Sequence, residues 1–191
     1  MKIIKRVAIF LCVVAFLLFP LPAADVNVRL HFSEAVEDSC YLYYATETGV
    51  FSQEQCIAGK MEADSRQVTF RLDKSLEKRL TGVRLDFPAG NNLIGIEKVT
   101  LSSAGIIQKQ YNPSIFFQDS NLTAKNHIPA ISLATAQDRA YLLTDGEDPY
   151  LILSEGIITE VKESFSHFFL TRIGICLFIA ACFFLNKKKA N

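Results

Sequence analysis

Tryptophan is absent from the chain, methionine occurs twice and histidine three times. Without tryptophan the strongest aromatic platform for stacking on sugar rings is missing. His31, His127 and His167 stand far apart and none has ligand spacing to another, which excludes the short-range zinc motifs. Gly-x-Ser-x-Gly, His-Glu-x-x-His and phosphate-loop patterns do not occur, so serine-hydrolase, zinc-protease and nucleotide-binding signatures are all missing. Residues 1–24 and 165–191 contain no Asp or Glu at all. Cysteine is also scarce between those ends. Cys12, Cys176 and Cys182 lie within them, and only Cys40 and Cys56 fall in the middle.

The ends are apolar sequence beside cations. Met1 to Ala24 opens on Lys2, Lys5 and Arg6, runs apolar from Val7 to Phe19, and closes on Pro20-Leu-Pro-Ala-Ala24. This is the pattern of a secretory signal. The cleavage context is poor, with Leu21 or Pro22 falling three residues before the cut, so a cleaved signal peptide and a retained signal anchor both fit. Either one exports the middle of the chain. Phe165 to Leu185 is the length of a bilayer-spanning helix, about 20 residues. Arg172 lies within it, and Lys187, Lys188 and Lys189 stand just beyond it. The expected organisation is therefore residues 1–24 signal or anchor, 25–154 folded domain, 155–164 linker, 165–185 transmembrane helix and 186–191 cytoplasmic tail. Residues 25–164 hold 13 basic and 20 acidic side chains, a net charge of −7. The positive-inside rule places this acidic middle on the extracytoplasmic side of the cell membrane. An acidic body also excludes nucleic acid as a partner.

The middle reads as strands. Val26, Val28, Leu30 and Phe32 alternate with polar residues, as do Val68, Phe70 and Leu72, and as do Val83, Leu85 and Phe87 around Arg84 and Asp86. Cys40-Tyr-Leu-Tyr-Tyr-Ala45 is strand-like and Thr46-Glu-Thr-Gly49 is its turn. Leu93 to Leu101 continues the series, with Gly95 a candidate bulge. Ala140 to Thr144 and Tyr150 to Leu153 read as a closing hairpin around Asp145-Gly-Glu-Asp-Pro149. Residues 74–79 suit a single helical turn, and 112–135 read as a long loop with a short helix. Short strands with frequent turns predict an all-β fold, an antiparallel β-sandwich or jelly roll, flanked by the N-terminal signal or anchor helix and the C-terminal transmembrane helix.

Candidate chemistry is thin. Pairing Ala45 with Phe51 would set Cys40 opposite Cys56, where a disulfide fits, and two buried free thiols fit the composition equally well. Tyr41, Tyr43 and Tyr44 are candidate ligand contacts for stacking on a glycan, with at least one of the rings turned into the core. Glu37-Asp38 and Glu147-Asp148 are paired carboxylates in turn-like segments, where acids are ordinarily solvated. A glycosidase, or a calcium site at Asp145-Gly-Glu-Asp148, would draw on such pairs, and neither is favoured over an acidic turn. No catalytic residue, metal ligand or cofactor is assigned.

The order Cys40-Tyr-Leu-Tyr-Tyr44, Phe51-Ser-Gln-Glu54, Val68 to Leu72, Val83-Arg-Leu-Asp-Phe-Pro88, Ile94 to Leu101 and Asp145-Gly-Glu-Asp-Pro-Tyr-Leu-Ile-Leu153 resembles the extracytoplasmic β-sandwich domains of bacterial membrane proteins of surface-polysaccharide synthesis. Those proteins usually carry many membrane helices and often a glycosyltransferase domain, which this chain lacks. The resemblance implies a fold and a cell-envelope setting and transfers no activity. The expected role is a non-catalytic, membrane-anchored accessory or interaction module, beside a membrane glycosyltransferase or polysaccharide export protein. A surface carbohydrate-binding module that contacts glycan is the alternative, and an envelope hydrolase using Glu147 and Asp148 is a more distant one. Protease added to intact spheroplasts should digest the acidic middle and spare a C-terminal tag. Loss of the tag would reverse the topology.

Overall fold

The computed structural model describes residues 24–36, 39–61, 66–103 and 106–166. The expected signal or anchor, all but the first two residues of the expected transmembrane helix, the basic tail and the Glu37-Asp38 pair lie outside them. Among the described residues no helix is long and apolar enough to cross a membrane.

Twelve strands are present among the described residues: β1 Val26–Phe32, β2 Tyr41–Ala45, β3 Cys56–Ala58, β4 Lys60–Met61, β5 Gln67–Leu72, β6 Gly82–Asp86, β7 Leu93–Ser103, β8 Ile106–Tyr111, β9 Leu122–Asn126, β10 Ala130–Ala134, β11 Arg139–Leu143 and β12 Tyr150–Leu153. They form two antiparallel sheets. The seven-stranded sheet runs β10-β11-β7-β1-β5-β4, with β8 also paired to β7, and the five-stranded sheet runs β3-β2-β6-β12-β9. The fold is mostly β, as the alternation requires. Val26, Val28, Leu30 and Phe32 of one sheet and Leu42, Val83, Leu85, Leu151 and Leu153 of the other belong to a single apolar core.

Period-2 alternation explains which side each residue takes. Every second residue of β1 and β5 is buried, and the intervening ones are not. In β7 the alternation is reset once. His31 pairs with Lys98 and Phe32 with Ile96, so Glu97 is an extra residue, a β-bulge. The bulge is thus at Glu97 and not at the expected Gly95. Gly95 is required for close approach instead: a Cβ there would lie 2.1 Å from the Ser33 hydroxyl.

Three further expectations are corrected. β11 and β12 are not a hairpin. β11 pairs with β7 and β10, β12 pairs with β6 and β9, and Asp145 to Pro149 crosses from one sheet to the other. Buried Thr144 anchors the crossing, its hydroxyl donating to Gly90 O (2.8 Å) and accepting from Asn92 N (3.1 Å). The loop expected at 112–135 holds strands β9 and β10 behind helix α1, Pro113–Phe116. β9 is largely exposed and shows no alternation, and β10 alternates only through half-buried Ile131 and Leu133, so the period that reveals a strand is absent from the first and short in the second.

The third correction is the linker. Residues 155–164 belong to helix α2, Glu155–Ser166. Ile157, Ile158, Val161 and Phe165 recur at helical spacing and all lie in the core, so Phe165 packs with the domain. A polar clasp holds the helix to β8. The Tyr111 hydroxyl donates to Glu160, and Lys109 Nζ lies 2.5 Å from the same carboxylate and 4.8 Å from the Tyr111 ring centroid. Burial, and then the bond to Glu160, hold the Tyr111 phenol far above its ordinary value. Burial pushes Glu160 up, but Lys109 and Tyr111 together hold it below the ordinary glutamate range.

Leu85 is 1 % exposed on β6, between β2 and β12. Leu85→Ala should lower stability by about 2–5 kcal/mol in chemical denaturation. Leu93→Ala, at a side chain 70 % exposed, should change it by no more than about 0.5 kcal/mol.

Candidate functional site

The outward side of the five-stranded sheet carries the expected tyrosines. Leu42, Leu85 and Leu151 turn into the core, so their neighbours turn out. Register then sets Tyr41 and Tyr150 on either side of Asp86, and Tyr43 and Ile152 on either side of Arg84. Tyr41 is exposed, Tyr43 and Tyr150 are half-buried, and Tyr44 packs against the core. Two of the three candidate rings are therefore brought together on the surface, with Tyr150 as an unanticipated third. Its place would have been legible from the strand Tyr150–Leu153 had β12 been set beside β6.

Arg84 organises the face. Its Nε and Nη2 donate to the two carboxylate oxygens of Asp86 at 2.7 and 2.6 Å, and Nη2 also donates to Asp148 at 2.9 Å. The guanidinium lies 3.9 Å from the Tyr150 ring centroid and 5.0 Å from that of Tyr43, within cation–π range. Burial pushes the Asp86 carboxyl up from the ordinary aspartate range, against the opposing pull of Arg84. Tyr43 donates to Gln53 Oε1 at 3.3 Å. Its hydrogen bond with the Cys56 thiol, and then burial, raise the phenol above its usual value.

That contact also corrects the expected cysteine register. Tyr43, and not Cys40, pairs with Cys56. The chain between β2 and β3 spends residues 53–55 on a short 3-10 turn, which shifts the pairing by three positions and sets the two cysteines on opposite sides of the sheet. Cys40 is buried, Cys56 is half-buried, and no disulfide joins them.

The acids of the crossing segment are separated. Asp148 binds Arg84, and its backbone oxygen accepts from Asn126 Nδ2 at 2.8 Å. Asp145 lies 3.4 Å from His127 Nδ1. His127 (φ 49°) and Gly146 (φ 129°) both adopt left-handed backbone, and a Cβ at Gly146 would meet the His127 ring at 2.5 Å. Among the described residues no three of His, Cys, Asp and Glu converge on a metal position. His31 faces outward on β1, and His167 lies outside the described residues. A cavity of 340 Å³ lies apart from this face, lined by residues 34–36, 88–89 and 92–95. Glu34 is the one ionisable group among those lining residues, and the Asn92 amide is engaged by Ala89 O at 2.8 Å.

Replacing Arg84 separates its structural role from its surface role. Arg84→Met should cost about 3 kcal/mol near neutral pH, because the buried Asp86 carboxylate loses its partner. Asp86 is already raised in the folded protein, and the substitution raises it further. A carboxyl raised on folding contributes stability below its unfolded value, about 3.9, and loses it as pH rises through the folded value. The deficit of the variant should therefore shrink as pH falls towards 4, as denaturation at several pH values would show.

No family model matches the chain, and neither a curated protein nor a solved structure matches it.

Proposed function

We propose that the chain is a non-catalytic accessory module of the bacterial cell envelope, tied to polysaccharide synthesis or export. In this reading a β-sandwich or jelly-roll domain stands on the extracytoplasmic side of the membrane, held by its terminal apolar segments. A membrane glycosyltransferase or export protein docks on the outward side of the five-stranded sheet. One observation carries the reading: Tyr41, Tyr43, Tyr150 and Arg84 form a single ordered patch on β2, β6 and β12. Tyrosine and arginine dominate interface energetics. Here the guanidinium already holds two of the rings, so docking costs little side-chain ordering.

The alternative, a surface carbohydrate-binding module using the same rings, has less support. Tyr43 and Tyr150 present ring area to Arg84, which leaves Tyr41, 39 % exposed, as the open platform.

A photo-cross-linking residue at Tyr41 in the full chain, expressed in its own cells, should capture a membrane protein of polysaccharide assembly. The same probe at Leu93, on the other sheet, should not. Capture from neither position, or equal capture from both, would remove the patch as the docking site.

A further inference from the structure

The seven-stranded sheet has an outward side of different chemistry. Val26, Val28, Leu30 and Phe32 enter the core, so Asn27, Arg29 and His31 face away from it; β5 alternates in step, and on β7 the register with β1 sets Lys98 and Thr100 beside His31 and Arg29. Register sets Lys60, Thr69, Arg29, Thr100 and Gln110 in one row across β4, β5, β1, β7 and β8. The adjacent row is Gln67, His31 and Lys98. Neighbouring strands stand about 4.8 Å apart, so the rows form an array of cations interleaved with hydroxyl and amide side chains. Thr100 is buried and makes its floor.

Among the described residues Arg29, Lys60 and Lys98 have no carboxylate within ion-pair distance. The two acids at the margins are already taken. Asp25 accepts from Arg71 Nε at 2.7 Å, and Glu97 pairs with Arg139 at 2.5 Å. Burial, then the charges of Lys98 and Arg29, hold His31 below its ordinary value, as expected in a positive field. A stretch whose net charge is −7 thus gathers on one sheet face cations that have no carboxylate partner among the described residues.

We infer that this face binds an acidic polysaccharide strand, with Arg29, Lys60 and Lys98 taking its carboxylates and Thr69 and Gln110 its sugar hydroxyls. Interleaved cations and neutral hydrogen-bonding groups suit a chain that carries both acids and hydroxyls. A lipid surface would call for charge plus apolar side chains to enter the acyl boundary, and neither row carries one. The inference takes its cell-envelope setting from the accessory-module reading, but uses the opposite sheet and names the ligand class.

The test uses the full chain in nanodiscs of neutral lipid, titrated with polygalacturonate and with dextran as the uncharged control. Polygalacturonate should bind and dextran should not. Affinity should fall about tenfold between roughly 50 and 200 mM salt, as a few released counterions require. Arg29→Gln with Lys98→Gln should weaken binding by a similar factor at an unchanged melting temperature. Lys60→Gln, at an exposed position, supplies a second weakened variant should the double substitution disturb the fold. Absence of polygalacturonate binding, equal binding of dextran, or unaltered binding by the folded variants would overturn the assignment. Binding of phosphatidylglycerol vesicles without polygalacturonate would also overturn it, in favour of lipid headgroups. Cross-linking from Tyr41 is read on the other sheet, so failure here with that capture intact overturns the glycan face alone.

Discussion

Strand β7 pairs along one side with β1 and along the other with two strands in turn, β11 over its first residues and β8 over its last. All of these contacts depend on keeping one side of an eleven-residue strand turned into the core. Alternation cannot be interrupted without turning each later side chain to the wrong face. The extra residue at Glu97 compensates for the change of register at Phe32, so Ile94 and Ile96 before it, and Val99 and Leu101 after it, are all buried. The outward positions that remain, Lys98 and Thr100, are where the cationic rows form. Core packing and surface chemistry on this sheet therefore derive from one constraint on one strand.

The five-stranded sheet solves a different problem. Its outward side buries part of Asp86, and a buried carboxylate is costly without a partner. Arg84 supplies two hydrogen bonds, and Tyr43 and Tyr150 cover the guanidinium from β2 and β12. Three strands are tied across their solvent side by one side chain, while Leu42, Leu85 and Leu151 tie them across the other. The same contacts that lock the sheet present ordered aromatic surface to a partner.

Much of the fold was legible where a strand is half-buried. Val26 to Phe32, Gln67 to Leu72 and Val83 to Phe87 alternate cleanly, and each faces as the alternation requires. The missed elements are those whose burial leaves another mark. β9 and β10 lie at sheet edges, β9 with mostly exposed side chains and β10 with only Ile131 and Leu133 alternating against the core, and a strand that buries little shows little period. Helix α2 carried its signal at Ile157, Ile158, Val161 and Phe165, but an apolar run beginning at Phe165 reads as membrane when the sequence is taken alone. Of the candidate site, Tyr41 and Tyr43 were legible from parity on one strand. Their neighbours Arg84, Asp86 and Tyr150 lie on strands far off in sequence, and only the order β2-β6-β12 brings them together. The register that would have set Cys40 opposite Cys56, one of two readings of these cysteines, is displaced for a similar reason, since a three-residue turn lies within the loop.

Strand β12 sits between β6 and β9, inside the five-stranded sheet, yet among the described strands it is the last in the chain. Among them β9 has no other strand partner. The seven-stranded sheet is complete in sequence by Leu143. Synthesis from the N-terminus therefore delivers one whole sheet first, while β9 and the open side of β6 wait for a strand not yet made. During that interval both expose unpaired backbone, the surface on which chains associate wrongly. Any pause in translation or export between Leu143 and Tyr150 prolongs that exposure, and the arrival of β12, with α2 behind it, ends it.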